Sequence, residues 1–256
     1  MARAAQLQVQ ALYGGATAQA LAVDAGVLHV AAVWRRTPDS HVVMRIGPET
    51  PKSQADAFAL SLARARADAI LTTGGILRAE PEMVVRPFGA NADSLLALRR
   101  TAFNRNHPPA LIVLTRGEIA VDHPALHTWV RPVIITGRVG AQRLKATLGS
   151  RTDIRLVALP EPSAAAAIAW AQRELGARTI SIEAGPSTAV PLYEHPVAID
   201  ELMLSVYEGT PPAAVVGKPF VSPAQIDAAL PRCVADTAVD EVSGPWRFQR
   251  WLRPAQ

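Results

Sequence analysis

The fold is indicated by one stretch of the chain, RARADAILTTGGILRAEPEMVVR, which runs from Arg64 to Arg86. Its segment AILTT, at 69–73, is a short apolar run typical of a strand that is buried on both faces. Gly74 and Gly75 follow this strand directly, and two arginines that flank a glutamate come next. Such a stretch is either a plain turn or the edge of a crevice that holds a charged small molecule.

Short apolar runs alternate with helical patterns over most of the length. Further strands are predicted at 27–34, 41–46, 110–114, 132–136, 154–159, 179–183 and 201–207, and a terminal strand is predicted in WRFQRWL. Several of these runs are continuous Val, Ile and Leu, as in strands that are covered on both faces. The alternation predicts a three-layer α/β/α fold with a mixed sheet, and a single domain over 1–256 is the simplest account.

Helices are predicted where capping residues precede helical patterns. Ser53 and Asp56 form a Ser-x-x-Asp capping box ahead of AFALSLARARA. Ser163 precedes AAAAIAWAQREL, and Gly176 stands where a left-handed C-terminal cap belongs. A short helix is also predicted around 94–100, whereas the proline-rich segment 209–223 is predicted to be a loop.

The composition excludes several classes of function. The chain has 256 residues, 49% of them hydrophobic, and no window approaches the run of roughly 20 apolar residues that a membrane-spanning helix needs. Its single cysteine, Cys233, excludes an intramolecular disulfide and a cysteine-based metal cluster, and we expect no metal. The net charge is +4, but the basic residues are scattered and form no nucleic-acid-binding motif. We therefore expect a cytoplasmic protein that binds neither nucleic acid nor a membrane.

Polar residues also follow a second predicted strand, at 179–183. This strand ends on Glu183 and continues into AGPST, where Gly185 lets the backbone turn sharply and Ser187 and Thr188 can cap a short helix. Open α/β sheets bind ligands outside the carboxyl ends of their strands, and the free N–H groups of a helix start suit a phosphate. The Gly-x-Gly-x-x-Gly and Gly-Lys-Ser fingerprints of common nucleotide sites are missing.

Together, the segments 64–86 and 180–209 resemble the riboflavin-biosynthesis pyrimidine reductase family. Segment 64–86 is similar to that family's Arg-Ala-x-Ala-Asp-Ala-Ile segment, glycine turn and Arg-Ala-Asp-x-Pro sequence with a trailing arginine. Segment 180–209 is similar to its Glu-Gly-Gly-Pro turn and Val-Asp-Glu-Leu strand, and the resemblance as a whole covers 53–209. It implies a dihydrofolate-reductase-like fold whose sheet is mostly parallel with antiparallel C-terminal strands. It also implies an NADPH-dependent reductase that forms a homodimer.

The resemblance implies that both glycine turns contact NADPH. In the family, the first turn lies against the dinucleotide, the second receives its pyrophosphate, and the strand end at 115–116 lies near the adenosine ribose. Arg116 would then bind the 2′-phosphate that distinguishes NADPH from NADH. The implied cofactor-binding residues are Thr73, Gly74, Gly75, Ile76, Thr115, Arg116, Ala184, Gly185, Pro186, Ser187 and Thr188.

The resemblance also implies where a small heterocyclic substrate, with or without a phosphate, would bind. The family's Arg-Ala-Asp-x-Pro segment and its trailing arginine contact the ribose phosphate of the substrate. The matching residues here are Arg78, Glu80 and Arg86. Glu183 matches the family's glutamate at the strand end. It either caps the neighbouring turn or is a catalytic carboxylate that orients the heterocycle or relays a proton.

The first strand departs from the family pattern. Family reductases carry Lys-x-x-x-Ser-x-Asp-Gly there, whereas this chain has HVAAVWRRTPDSHVVMR. Arg35, Thr37 and Asp39 are candidate substitutes, although their spacing differs. The departure leaves a second interpretation open, in which the same fold binds a nucleotide or phosphorylated ligand without catalysis. A third is a partner-binding protein that uses WRFQRW as an interface strand.

Overall fold

The structure of the protein is a computed structural model that describes residues 2–22, 26–127, 129–149 and 151–254. Over these ranges the chain forms eleven strands and nine α-helices. The strands are β1 (Gly26–Thr37), β2 (Ser40–Met44), β3 (Ala69–Thr73), β4 (Ala110–Leu114), β5 (Arg131–Thr136), β6 (Arg155–Ala158), β7 (Thr179–Ile182), β8 (Glu201–Tyr207), β9 (Val216–Pro219), β10 (Arg232–Glu241) and β11 (Gly244–Leu252). The helices are α1 (Arg3–Leu12), α2 (Ala18–Ala22), α3 (Gln54–Arg66), α4 (Gly74–Ala79), α5 (Ala92–Thr101), α6 (Arg138–Leu148), α7 (Ala164–Leu175), α8 (Pro186–Ala189) and α9 (Pro223–Ala229).

The strands form one mixed sheet whose order is β10-β11-β8-β1-β7-β3-β4-β5-β6. From β8 to β6 all neighbours are parallel, and β11 and β10 are added antiparallel beyond β8. A short antiparallel arm, made of β2 and β9, extends from β1. This order confirms the predicted dihydrofolate-reductase-like class, with a mostly parallel sheet and antiparallel C-terminal strands.

Helices cover both faces of the sheet, which confirms the three predicted layers. On one face, Leu71 of β3 and Ile182 of β7 pack with Ile168 of α7. Ile70, the neighbour of Leu71 in β3, instead belongs to a cluster with Leu144 of α6. Because successive residues of a strand point to opposite faces, each central strand contributes to both cores. These strands are therefore continuous apolar runs, as the sequence indicates.

Strands β3 and β7 are neighbours whose following segments leave on opposite sides of the sheet. After β3, Leu77 of α4 packs in the cluster that contains Ile70. After β7, Leu192 packs in the cluster that contains Ile182. A crevice opens at the carboxyl ends of two parallel strands whose connections diverge in this way. The two glycine turns lie on either side of that crevice.

Helix α3 is held at its start by residues from distant parts of the chain. The Ser53 hydroxyl accepts a hydrogen bond from the backbone N–H of Asp56 at 2.9 Å, as predicted. The reciprocal half of the predicted capping box is wrong, because the Asp56 carboxyl is hydrogen-bonded to Ser205 of β8. Glu241 replaces it, accepting from the Ser53 hydroxyl and from the first two backbone N–H groups of α3. The β10–β11 hairpin thus caps α3.

Helix α7 has the two caps that the sequence predicts. The Ser163 hydroxyl accepts from the backbone N–H of Ala166 at 3.1 Å. Gly176 has φ 62° and ψ 27°, the left-handed conformation that favours glycine at a helix end. The path from β6 through α7 to β7 therefore follows from local sequence signals.

One prediction about the C-terminal third is wrong in part. The segment 209–223 is not only a loop, because it contains β9, which pairs with β2. The predicted terminal strand is confirmed as β11, which lies between β8 and β10. Trp246 and Phe248 are 1% and 0% exposed in the core and offer no surface to a partner protein.

Candidate functional site

A cleft of about 530 Å³ opens at the carboxyl ends of β3, β4 and β7. It joins residues of both glycine turns, so the two turns meet in space as the resemblance implies. The predicted residues that line it are Thr73, Gly75, Arg78, Thr115, Arg116, Ser187 and Thr188. Lining residues that the sequence did not indicate are Leu114, Glu118, Pro162, Ser163, Ala164, Ala165, Pro191 and Leu192.

The polar groups of this cleft suit an anion with several negative charges. Helix α7 is 12 residues long and its first turn faces the cleft through Ala164 and Ala165. The N–H groups of a first turn have no acceptor within the helix, and the positive end of the helix dipole lies there. Arg78 and Arg116 are both exposed at the cleft and add two cations. The hydroxyl groups of Thr73, Ser187 and Thr188 add further hydrogen-bond donors to the lining of the cleft.

Gly74 lies beneath the cleft and does not line it. A Cβ atom at this position would come within 2.8 Å of the Thr115 hydroxyl and 3.0 Å of its Cβ. The absence of a side chain therefore lets the segment after β4 approach the end of β3 closely. This contact places Thr115 in the wall of the cleft.

We expect the two adjacent glycines to respond differently to alanine. Gly74→Ala should lower the free energy of unfolding by about 1–3 kcal/mol, because it overpacks the contact with Thr115. Gly75→Ala is the matched control, since its Cβ would meet the Thr73 hydroxyl at an ordinary 3.6 Å. That variant should be neutral or gain up to about 1 kcal/mol from the helix propensity of alanine. Urea denaturation measures both, and equal losses would contradict the packing role of Gly74.

The second glycine turn differs from its prediction in one respect. Gly185 has φ −65° and ψ 165°, a conformation that any residue adopts, so the expected sharp glycine-dependent turn is wrong. Its distinguishing feature is open space, because a Cβ there would meet no atom within 4 Å. Ile76, Ala184, Gly185 and Pro186 belong to the turns that flank the cleft but do not line it.

One cation beside the second turn was not predicted. Lys218 of β9 donates a hydrogen bond from its ammonium group to the Ser187 hydroxyl at 3.0 Å. This contact brings positive charge to the start of α8, next to the hydroxyls that line the cleft. Lys218 lies in the segment predicted to be a loop, and only the pairing of β9 with β2 places it here.

Glu183, the predicted catalytic carboxylate, forms a nearly buried ion pair with Arg64 of α3. The Arg64 Nε–Oε1 and Nη2–Oε2 distances are 3.0 and 2.8 Å, and the two side chains are 4% and 10% exposed. Arg64 also donates to the backbone oxygens of Val84 and Arg86. Because both carboxylate oxygens are occupied, this geometry favours an orienting role for Glu183 over a proton relay.

Of the three predicted substrate-binding residues, Glu80 has a carboxyl group that senses the charges of this ion pair. Burial raises the pKa of the Glu80 carboxyl; the charge of Arg64 lowers it, and that of Glu183 raises it. The backbone of Arg86 is anchored by Arg64, and its side chain is exposed. Arg78 instead points toward the 530 Å³ cleft and donates to the backbone oxygen of Glu118. The three residues therefore do not converge on one point.

The candidate substitutes for the first-strand motif lie elsewhere. Arg35 forms an ion pair with Glu208 at 2.8 Å, and Thr37 hydrogen-bonds Ser40 across the β1–β2 turn. Neither lines the 530 Å³ cleft. The idea that they replace the family's lysine and aspartate at the site is wrong. The first strand extends past the site into the arm with β2, and this carries both residues away.

The described residues contain no helix that is long and apolar enough to cross a membrane. They also contain no group of three His, Cys, Asp or Glu residues arranged to hold a metal ion.

Known structures identify this architecture. A pyrimidine reductase-like protein from Corynebacterium diphtheriae matches it with a TM-score of 0.66 and 22% identity, over 97% of this chain and 99% of that chain. The chain has the pyrimidine reductase-like fold. The riboflavin biosynthesis reductase Rib7 of Saccharomyces cerevisiae matches this fold with a TM-score of 0.55 and 12% identity, over 97% and 98% of the two chains.

A longer protein contains the same fold. Acinetobacter baumannii RibD matches with a TM-score of 0.54 and 14% identity, over 89% of this chain but only 58% of that chain. No family model matches the chain, and no curated protein matches its sequence. The assignment of the pyrimidine reductase-like fold therefore rests on structural similarity. It confirms the fold that the segments 64–86 and 180–209 indicated.

Proposed function

We propose that the chain is an NADPH-dependent reductase that acts on a small heterocycle. The observation that carries this proposal is the cleft at the diverging connections of β3 and β7, lined by two arginines and by the first turn of α7. Open α/β sheets bind nucleotide cofactors at such a point. The reductase names of the proteins that share the fold support the same assignment.

The residues of the cleft fit the charged parts of NADPH. The first turn of α7, with Arg78, would bind the pyrophosphate, and Arg116 would bind the 2′-phosphate. Open space in front of Gly185 leaves room for a ligand against the backbone of the second turn. A cleft of about 530 Å³ lies within the usual range for small-molecule sites.

When bound, NADPH would supply a hydride to an electron-poor C=N or C=O group of the substrate. The protein then has to align the two reactants and exclude water. Glu183, held by Arg64, follows β7 directly before the second glycine turn, where its carboxylate would accept a hydrogen bond from a ring N–H group. Its backbone N–H donates to the oxygen of Leu71 at 2.8 Å, which fixes the carboxylate against β3.

Cofactor titration tests this proposal. We expect NADPH to bind more tightly than NADH, and Arg116→Ala to remove most of that preference, a change of about 10-fold for a charge-assisted contact. Arg173→Ala is the control, because this exposed arginine of α7 lies outside the cleft. Isothermal titration calorimetry measures the affinities of wild type and both variants for the two cofactors. Absence of NADPH binding at millimolar concentration would refute the proposal.

A second function, ligand binding without catalysis, is favoured by two observations. Arg64 pairs with both oxygens of Glu183, and the first strand supplies no substitute for the missing lysine. NADPH oxidation with a panel of pyrimidines and pterins separates the two functions, since turnover of any of them excludes the second. The homodimer stays a prediction that light scattering can check.

A further inference from the structure

The edge of the sheet opposite the 530 Å³ cleft carries a cluster of basic residues, which we call the arginine cluster. Its members line a pocket of about 250 Å³ and are Arg99, Arg105, Arg131 and Arg178. The pocket lies at the amino ends of the parallel strands, because Arg131 begins β5 and Arg178 directly precedes β7. Strand β3 is five residues long, so the pocket and the 530 Å³ cleft are about 16 Å apart. The proposed function uses no residue of this pocket.

One carboxylate accompanies these four guanidinium groups. Asp68 is the only acidic residue in the described lining of the pocket. Its Oδ1 atom lies 2.6 Å from Nε of Arg105, and its Oδ2 atom accepts from the backbone N–H groups of Arg178 and Thr179. Four arginines and one aspartate give the lining a formal charge of +3.

Carbonyl groups at helix ends offset part of this charge. The Arg99 Nη1 group donates to the backbone oxygens of Ala65 and Ala67 at the end of α3, at 3.0 and 2.7 Å. Helices α5 and α7 also end beside the pocket, at Thr101 and Leu175. Each helix end carries about half a negative charge, so three of them offset about 1.5 charges. About 1.5 positive charges remain, and an anion would balance them.

Two of the four arginines are buried, which makes the uncompensated charge costly. Arg99 and Arg105 are 4% and 9% exposed. The pKa of Arg99 is lowered to about 10, mainly by burial; Asp68 opposes this change, and the charges of Arg105 and Arg131 add to it. Like charges repel more strongly where water is excluded. An anion that enters the pocket would therefore stabilise the cluster.

Exposed side chains of the lining supply hydrogen-bond donors to such an anion. Arg131 donates from Nε to the backbone oxygen of Pro108 at 3.2 Å, and its two terminal nitrogens have no acceptor among the described residues. A guanidinium group matches two oxygens of a phosphate. The side-chain amides of Asn104 and Asn106, both exposed, add further donors.

We propose that the arginine cluster binds one tetrahedral oxyanion with two negative charges, which is inorganic phosphate or the phosphate group of a small monoester. The volume supports a small ligand, because about 250 Å³ lies below the range of roughly 300–1,000 Å³ that is typical of sites for larger molecules. The site does not depend on the proposed reductase function. The basic residues that form it are scattered in the sequence and converge only in the fold.

Calorimetric titration with inorganic phosphate at constant ionic strength tests this proposal. Because the 530 Å³ cleft also suits an anion, the titrations use an Arg78→Gln/Arg116→Gln background, which removes both arginines from that cleft. This protein should bind phosphate at the arginine cluster. Adding Arg131→Gln should weaken binding at least ~10-fold, as expected for the loss of a charge-assisted hydrogen bond.

Arg143→Gln, added to the same background, is the matched control. It removes an exposed arginine of α6 that lies outside the lining of the pocket, and it changes the net charge by the same amount. Phosphate affinity should be unchanged in this variant. Equal affinity in the Arg131→Gln and Arg143→Gln variants would overturn the proposal, as would the absence of phosphate binding to the background protein at millimolar concentration.

Two further measurements keep the outcomes distinct. Phosphate should raise the Tm of the background protein and of the Arg143→Gln variant, but not that of Arg131→Gln. If Arg131→Gln fails to fold, Arg178→Gln, which changes an exposed arginine, should weaken phosphate binding by the same factor.

A second titration distinguishes the sources of the anion. Ribose 5-phosphate that binds more tightly than inorganic phosphate would identify a monoester as the ligand, and weaker binding would identify the free ion. NADPH affinity, measured with Arg78 and Arg116 intact, should be unchanged by Arg131→Gln. Its loss would contradict a separate site, whereas phosphate binding without NADPH binding would refute the reductase and keep this site.

Discussion

Replacing Glu201 with glutamine is expected to lower the free energy of unfolding by about 3–5 kcal/mol. Glu201 begins β8 and is 1% exposed, and its oxygens lie 2.8 and 2.7 Å from the two terminal nitrogens of Arg66. Arg250 of β11 donates to the same carboxylate at 2.8 Å. Glutamine would leave two nearly buried guanidinium groups without a counter-charge. Urea denaturation at pH 7 measures the loss.

Glu208→Gln is the matched control for this prediction. Glu208 also contacts two arginines, Arg35 at 2.8 Å and Arg247 at 3.1 Å, but all three side chains are between 23% and 34% exposed. Solvent screens such pairs, so the expected loss is below about 1 kcal/mol. Losses of the same size in both variants would show that burial does not determine the strength of these pairs.

The pH dependence of stability gives a second test of Glu201. Burial alone would raise its pKa, but the charges and hydrogen bonds of Arg66 and Arg250 outweigh burial and lower the pKa from 4.5 to about 2. A carboxyl whose folded-state pKa is depressed stabilises the protein fully above its unfolded-state pKa, and that stability is lost as pH falls. The wild type should therefore lose stability between about pH 4.5 and 2, and Glu201→Gln should lose less over that window.

The central strands and the caps of α7 could be predicted because each depends on neighbouring residues. The predicted bounds of β3, β4 and β8 are those that the structure has. Strand β10 was missed because half of its ten residues are polar and break up the apolar ones, so its residues form no long apolar run. Its pairing with β11 through a hairpin makes it a strand. Such edge strands depend on tertiary context more than on composition.

The candidate site, too, could be predicted only where it depends on neighbouring residues. Its two glycine turns were predictable because each is a short segment next to a recognisable strand. Contacts between distant segments were not, and these include Lys218 with Ser187 and Glu241 with α3. Asp56 shows the difference clearly, because its sequence context indicated a helix cap while the fold turned its carboxyl toward Ser205. Chemistry that depends on such contacts can be inferred only from the three-dimensional structure.

Replacing Gly185 with tryptophan is expected to weaken NADPH binding at least ~100-fold, the loss of two charge-assisted hydrogen bonds of about 1.5 kcal/mol each. The backbone at Gly185 has φ −65° and ψ 165°, which tryptophan adopts without strain, and a Cβ there meets no atom within 4 Å. The variant should therefore fold, with its side chain in the open space beside the cleft, where it would obstruct a ligand that lies against the second turn. Calorimetric titration with NADPH measures the effect, and circular dichroism with thermal unfolding checks the fold.

Gly185→Ala is the control for the size of the side chain introduced at this position. Its single methyl group enters the same open space without reaching across it, so NADPH affinity should fall by no more than about threefold, which is less than 1 kcal/mol. If alanine and tryptophan bind NADPH equally well, the second turn does not contact the cofactor, although the cleft beside it would remain. If both abolish binding, the backbone of residue 185 itself approaches the ligand closely. A graded loss, small for alanine and large for tryptophan, is the result that the open space at Gly185 predicts.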